Sequence, residues 1–144
     1  MPVRACDPSR TPGRTSPLDG WRVIAQPAAL DGMKVPRGAA VVRISPDDAF
    51  VICAAGPGAA APVVKGDPFA IVTPEHGFAG ALLTAAEVEL LALHHIEWEL
   101  PARRPALAQG RIAGVPAKLD IAKDGSALLL VACAARAELE ARIA

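Results

Sequence analysis

The feature that most constrains the fold of this chain is a tight turn near its C-terminus. Asp124-Gly125 follows residues 117–122, where apolar and polar side chains alternate, and precedes residues 128–131, which are uniformly apolar. Asp-Gly between two such runs is the strongest short-range signal for a β-hairpin. The alternating run predicts a strand with one buried face, and the apolar run predicts a central strand. Antiparallel pairing is therefore expected in this half of the chain.

A second hairpin is predicted upstream. Residues 39–44 are rich in β-branched side chains, and residues 50–53 form the returning apolar run. The sequence SPDD between them suits a type I turn, which favours Ser at its first position and Pro at its second. Further strands are expected at residues 69–72, 79–83, 96–100 and 107–113, with a turn at residues 114–116.

Two main helices are predicted. Thr84 and Glu87 have the spacing of a capping box, in which each side chain binds the backbone N–H of the other residue. The helix that follows is expected to bury an apolar face made of Val88, Leu90, Leu91, Ala92, Leu93 and His95. Residues 133–144 form the second helix, in which Arg136 and Glu140 are spaced to pair one turn apart.

The order of these elements predicts an α+β fold. Hairpins dominate and no series of βαβ units is present, so we expect an antiparallel sheet built from hairpins with the two main helices packed on one face. Residues 1–20 carry four prolines and two glycines and are expected to be a disordered N-terminal arm. Residues 21–144 are expected to form a single α+β domain, with a mobile connector at residues 55–66.

Charge and composition exclude some classes of function. Fifteen basic and fifteen acidic residues give no net charge, which argues against nucleic-acid binding and leaves little repulsion between copies. Aromatic residues make up only 3% of the chain, so its core must be built from Leu, Ile, Val and Ala. Because alanine buries little surface, we expect modest stability alone, or stability gained from a partner protein.

The cysteines and the hydropathy pattern predict a cytoplasmic location. Cys6, Cys53 and Cys133 match no zinc spacing, and their odd number argues against a disulfide framework. No apolar run approaches the length of about 18 residues that a membrane span needs. Residues 1–16 lack the apolar core of a secretory signal, so no membrane partner is expected.

The residues with catalytic or metal-binding potential are sparse. His94 and His95 stand near Glu97 and Glu99, but adjacent histidines on a helix point about 100° apart and do not readily share one ion. His76 lies in a predicted turn with no nucleophile near it in sequence. The Gly56-Pro57-Gly58 run lacks the Lys-Ser/Thr pair of a phosphate loop. We therefore predict no catalytic, cofactor-binding or metal-binding residue in this chain.

Residues 96–116 contain the candidate partner interface. Trp98 is interpreted either as an anchor of the core or as a hot spot of an interface. Arg103 and Arg104 lie in a loop between prolines, where they can meet an anionic ligand or an acidic partner surface, or remain solvated. The candidate interface residues are Ile96, Trp98, Arg103, Arg104 and Val115.

Several motifs together resemble the gamma subunit of heterotetrameric sarcosine oxidase and, more broadly, the aminomethyltransferase-like (glycine-cleavage T-protein-like) domains. They are the segment FAIVTPEHGFAGALL, the helix TAAEVELLALHH, the segment IEWEL and the terminal ALLLVACAARAELEARI. The strand AQGRIAGVP fits the pattern A-Q-x-x-hydrophobic-x-G-hydrophobic-P, and VVRISPDDAFVI resembles the upstream hairpin of that family. This chain departs from the family in being shorter, and in carrying Glu75-His76-Gly77 where a small polar run is usual.

The resemblance implies a non-catalytic accessory subunit of a heteromeric, flavin-dependent amine oxidase or dehydrogenase acting on sarcosine or a related amine. It implies that larger flavoprotein subunits are the partners and that they hold FAD, NAD and folate, while this chain binds no cofactor. The alternative is a stand-alone module that binds a folate-like ligand through Arg103, Arg104 or Arg111. An independent enzyme using His76 or His94 is the least favoured interpretation.

Overall fold

A computed structural model describes residues 14–35, 37–53 and 61–144. Within these ranges all strand pairs are antiparallel and helices accompany them, so the predicted α+β class is confirmed. The strands form two sheets rather than one, and the chain groups into two compact units. Residues 19–76 belong to the first unit, and residues 14–18 with residues 77–144 belong to the second. A single domain over residues 21–144 stays a prediction.

The elements follow one another along the chain in the order β1 (Ser16–Pro17), β2 (Gly20–Ile24), α1 (Pro27–Asp31), β3 (Ala40–Ser45), β4 (Asp48–Ile52), α2 (Ala61–Gly66), β5 (Ile71–Glu75), β6 (Phe78–Leu83), α3 (Ala85–His95), β7 (Ala106–Ile112), β8 (Val115–Ile121), β9 (Ala127–Ala132) and α4 (Arg136–Ile143). A short 3₁₀ turn, Cys133–Ala135, leads into α4.

The first unit is a four-stranded sheet in the order β3-β4-β2-β5, accompanied by α1 and α2. The predicted hairpin of β3 and β4 is confirmed. Val23 and Val51 from the sheet are buried with Leu30 of α1 and Val63 of α2. The prediction of a mobile connector over residues 55–66 is therefore wrong for residues 61–66, where burial of Val63 stabilises a helix. Residues 55–60 lie outside the described ranges.

A buried carboxylate fixes the ends of both helices in the first unit. The side chain of Asp67, at 4% exposure, accepts a hydrogen bond from the backbone N–H of Gln26 at 2.9 Å. Its other oxygen accepts one from the backbone N–H of Phe69, also at 2.9 Å. Asp67 therefore joins the residue before α1 to the turn after α2.

The second unit is a five-stranded sheet in the order β1-β6-β9-β8-β7, which carries α3 and α4. The Asp124-Gly125 hairpin between β8 and β9 is confirmed, with Gly125 at φ 87°. Alternate residues of the strands form the core, as the pattern of period two requires. The largest of the fully buried side chains in this core are Ile112, Leu119, Ile121, Leu129 and Leu139.

The capping box at the start of α3 is also confirmed. The hydroxyl of Thr84 accepts a hydrogen bond from the backbone N–H of Glu87 at 3.2 Å. The carboxylate of Glu87 accepts one from the backbone N–H of Thr84 at 2.7 Å. The helix then runs to His95, where it was expected to end.

Three further predictions need correction. Residues 96–100 do not form a strand, and the turn between β7 and β8 lies at Ala113-Gly114 rather than at residues 114–116. The disordered arm predicted over residues 1–20 is corrected at its end, because Ser16–Pro17 pairs with β6 and Gly20 begins β2. Residues 1–13 of that arm lie outside the described ranges.

Candidate interaction site around helix α3

Helix α3 is apolar on two opposite sides. Val88 and Leu91 are 2% and 8% exposed and pack into the core of the second unit. Leu90 and Leu93, in contrast, are 57% and 76% exposed, so the prediction that they widen the buried face is wrong. At 100° per residue, Ala86, Leu90 and Leu93 lie on the side opposite the core. We call these three residues the outer stripe.

A groove separates α3 from α4 over the sheet. Its cavity volume is about 220 Å³. Leu90 and Leu91 form one wall, Ile143 of α4 forms another, and Leu83 and Leu129 of the sheet are also in its lining. Glu87, His94 and His95 complete the lining, so most but not all of the side chains around the groove are apolar. We call it the α3 groove.

A second cleft, with a volume of about 430 Å³, lies at the C-terminal end of α3. His94 and His95 line both this cleft and the α3 groove, so the two openings adjoin. The remaining lining residues of the cleft are Glu97, Trp98, Arg111, Ala113 and Gly114. We call it the Trp98 cleft. It brings an aromatic ring, two imidazoles and a guanidinium together on one surface.

Trp98 is held in place from two directions. Its indole N–H donates a hydrogen bond to the carbonyl oxygen of Arg111 at 3.0 Å. Its ring covers Gly110 so closely that a Cβ on that glycine would lie 2.5 Å from a ring atom. Trp98 also packs against the core while remaining partly exposed. The interpretation of Trp98 as a core anchor therefore has direct support, while its role as an interface hot spot stays a prediction.

The turn between β7 and β8 is tied to the end of α3. The backbone N–H of Ala113 donates a hydrogen bond to the carbonyl oxygen of His95 at 2.8 Å. The carbonyl oxygen of Ala113 accepts one from Arg142 of α4 at 2.8 Å. Arg111 donates to the carbonyl oxygen of Gly114 at 2.9 Å. These bonds fix the floor of the Trp98 cleft relative to both helices.

The histidines do not assemble a metal site. The ring centroids of His94 and His95 are 6.2 Å apart with an interplanar angle of 61°. Within residues 14–35, 37–53 and 61–144, no group of three or more His, Cys, Asp or Glu side chains is arranged to hold a metal ion. His76, in the first unit, lies 3.0 Å from a carboxylate oxygen of Asp19 on an exposed surface.

The predicted interface residues are not all on the surface. Ile96 is partly buried against the core, Arg103 is exposed, and Arg104 donates a hydrogen bond to the carbonyl oxygen of Pro101 at 3.3 Å. Val115 is 2% exposed as the first residue of β8, so its inclusion in a surface was wrong. From the first position of β8 its side chain packs into the core of the second unit.

Among carboxylate, ammonium and guanidinium groups, α3 itself carries only carboxylates, while the guanidinium of Arg104 lies near Ala85 at its first turn. Helix α3 contains Glu87 and Glu89 but neither Lys nor Arg, and Glu97 and Glu99 follow its end. The sequence pattern points to the two glutamates after the helix only as neighbours of the histidines, and not to the exposed leucines of α3. The available signal was the even distribution of apolar residues around the helix, which marks a helix covered on more than one side.

No helix in the part of the chain that the structure describes is both long enough and apolar enough to span a bilayer.

The two antiparallel units with their helices define the class of this protein as an α+β fold of two sheets. A solved structure with this fold is a chain of the heterotetrameric sarcosine oxidase from Corynebacterium sp. U-96 in complex with pyrrole 2-carboxylate. The likeness covers 90% of this chain and 80% of that chain, with a TM-score of 0.65 and 13% sequence identity. No protein-family model and no curated protein matches this sequence. The predicted resemblance to sarcosine oxidase is thus confirmed at the level of the fold.

Proposed function

We propose that this chain is a non-catalytic accessory subunit of a heteromeric, flavin-dependent amine oxidase or dehydrogenase of the sarcosine oxidase type. The observation that carries the proposal is the fold shared with a chain of such an enzyme over most of both chains. Membership of the gamma subunit family is part of the proposal. In such a complex the larger flavoprotein subunits hold FAD, NAD and folate, and this chain braces them in the cytoplasm.

The exposed apolar side chains of α3 support a bracing role. Leu90 and Leu93 leave more than half of their surface in contact with water. Covering a side chain of this kind stabilises a complex by about 1.5–3 kcal/mol when burial is complete. A chain with no net charge also lacks a long-range repulsion that opposes association.

Bracing acts on the partner by mass action. A protein that binds only the folded form of the flavoprotein shifts its unfolding equilibrium towards the folded state. The expected consequence is a flavoprotein that melts at a higher temperature, and retains its flavin longer, when this chain is bound. No reacting group of this chain is needed for that effect.

Co-expression with the flavoprotein subunits of the native host tests the proposal. A tag on this chain should purify a complex that carries flavin absorbance and oxidises sarcosine or another secondary amine. A strain that lacks this chain provides the control, and its flavoprotein should melt at a lower temperature. If this chain purifies as a stable monomer and the flavoprotein is equally active and equally stable without it, the proposal is wrong.

The Trp98 cleft supports a second candidate function, the binding of a folate-like ligand. Arg111 lines this cleft beside Trp98, whereas Arg103 and Arg104 do not line it. An indole ring offers a stacking surface for a flat heterocycle, and a guanidinium can pair with a carboxylate. In a thermal-shift experiment with pterins and polyglutamates, the wild type should be stabilised and Arg111→Gln should not. A melting temperature unmoved by every ligand contradicts this candidate function.

A further inference from the structure

We infer that the outer stripe docks an amphipathic helix of a partner protein, and that Lys or Arg residues flank the apolar stripe of that helix. This inference rests on the proposed function, because it names the surface through which this chain meets a partner. It starts from the spacing of Ala86, Leu90 and Leu93, which follow one another at intervals of four and three residues. The same alternation of intervals forms the seam of a coiled coil.

The length of the surface fits a helix. Helix α3 has eleven residues, so its exposed side extends for about 16 Å. That distance accommodates about three turns of a second helix lying alongside it. Leu90 belongs both to the outer stripe and to the lining of the α3 groove, so side chains of the docked helix can also enter the groove.

The glutamates of α3 favour a different protein, rather than a second copy of this chain, as the occupant of the outer stripe. Glu89 is exposed beside Leu93 of the outer stripe, and Glu87 is half-buried beside Leu90, where its carboxylate also caps the helix. Helix α3 contains no Lys or Arg that could neutralise these two charges. Two copies packed antiparallel through Leu90 would bring the glutamates of one helix near those of the other, and like charges across a helix pair are destabilising. A partner helix with Lys or Arg at the flanking positions would instead form favourable charge pairs with the glutamates of α3.

The test uses the full chain and two synthetic helical peptides of about 20 residues, a length at which a helix can form in water. Both peptides carry the same leucine stripe, and Lys flanks the stripe in one while Glu flanks it in the other. Fluorescence anisotropy of the labelled peptides measures binding. The Lys peptide should bind at least about tenfold more tightly than the Glu peptide, since opposite charges steer and specify association.

Variants of exposed residues locate the binding surface. Leu93→Asp should weaken binding of the Lys peptide by about tenfold or more, because it removes one buried leucine from the contact. Glu89→Lys should reduce the ratio between the affinities for the Lys peptide and the Glu peptide, because it replaces an attractive charge with a repulsive one. Phe69→Asp is the matched control, since Phe69 is 87% exposed and lies in the first unit, and binding should be unchanged.

Three results would overturn the inference. The first is that both peptides bind the wild type equally tightly, and the second is that Leu93→Asp binds the Lys peptide as tightly as the wild type does. The third is that the wild type sediments as a dimer and Leu93→Asp sediments as a monomer. The last result would assign the outer stripe to a second copy. If this chain joins a flavoprotein complex that Leu93→Asp leaves intact, the inference fails while the proposed function stands. If no flavoprotein associates but the Lys peptide binds as described, the proposed function fails and the docking surface stands.

Discussion

Thr15 donates two hydrogen bonds to one carboxylate oxygen of Glu140, although 125 residues separate them in the sequence. The backbone N–H of Thr15 lies 2.7 Å from that oxygen and its hydroxyl lies 2.6 Å from it. Arg136 donates to the carbonyl oxygen of Thr15 at 2.9 Å. Thr15 is only 1% exposed. The segment that leads into β1 is therefore fastened to α4 through all the polar groups of one residue.

The Thr15 contact predicts that Glu140→Gln destabilises the second unit in a pH-dependent way. The hydrogen bond from the hydroxyl of Thr15, followed by that from its N–H, lowers the pKa of Glu140. A lowered pKa in the folded state stabilises the fold above the unfolded pKa of about 4.3, and this stabilisation is lost as the pH falls through the folded pKa. We expect a loss of about 1 kcal/mol at neutral pH.

Urea denaturation between about pH 7 and about pH 3 checks this prediction, because the wild type and Glu140→Gln should converge as the pH falls. Glu138→Gln is the matched control. Glu138 lies on the same helix and pairs with Arg142, but both side chains are about half exposed, so a smaller loss is expected. Parallel stability curves for wild type and Glu140→Gln at every pH would contradict the prediction.

Asp120 predicts a pH dependence of stability opposite to that of Glu140, because its ionisation destabilises the fold. It lies on β8 opposite Leu107 of β7 and Leu128 of β9, and burial raises the pKa of its carboxyl group. A raised folded pKa in an acid means that ionisation costs stability, so the penalty appears as the pH rises through the unfolded and then the folded pKa. Asp120→Asn should therefore stabilise the protein at neutral pH.

The gain from Asp120→Asn should be less than about 1 kcal/mol, because solvent screens a half-exposed group. It should vanish well below the unfolded pKa of about 3.9, where the carboxyl group is protonated in the folded and unfolded chains alike. Thermal melts at two pH values measure the difference. A gain at acid pH equal to that at neutral pH would show that packing, and not charge, causes the change.

Trp98 and Gly110 predict a coupled pair of substitutions. A Cβ on Gly110 would lie 2.5–2.8 Å from three atoms of the indole ring, so Gly110→Ala must displace the ring. We expect a loss of about 1–3 kcal/mol and a shift in tryptophan emission. In the Trp98→Ala background the same change should cost much less, because the obstructing ring is gone. A double-mutant cycle measures this coupling, and additive losses would contradict the contact.

Local signals in the sequence were reliable. Asp124-Gly125 and the Thr84 capping box each depend on a few adjacent residues, and both are present as predicted. Pairings between distant segments left no such signal. The chain gives no local indication that β2 lies between β4 and β5, or that β6 pairs with β9, and these pairings create two sheets where one was expected.

The errors at the candidate site have physical causes. Residues 96–100 alternate like a strand, but the alternation places Trp98 over Gly110 instead of forming a ladder. Pro116 suggested a turn, yet it lies in β8 with a register partner on β7 and none on β9, where its missing N–H is tolerated. Helical periodicity also could not decide which of the two apolar sides of α3 the fold covers, so the exposure of Leu93 was missed.

The turn between β7 and β8 predicts a stabilising substitution. Ala113 and Gly114 have φ values of 49° and 79°, which together form the two central positions of a type I′ turn. The left-handed region costs an alanine about 1 kcal/mol or more, whereas asparagine enters it readily and asparagine followed by glycine is the preferred pair for this turn. Ala113→Asn should therefore raise the free energy of unfolding by about 0.5–1 kcal/mol.

Urea denaturation measures the effect of Ala113→Asn, with Gly114→Ala as the matched control in the same turn. Gly114→Ala should be destabilising, because it places a Cβ at φ 79° and within 2.6 Å of the guanidinium of Arg142. The bonds from Ala113 to His95 and Arg142 use backbone atoms, so asparagine preserves them. If Ala113→Asn lowers the free energy of unfolding, unfavourable contacts of the asparagine side chain with the Trp98 cleft outweigh any relief of backbone strain. Backbone strain at Ala113 would then not be what limits the stability of the turn.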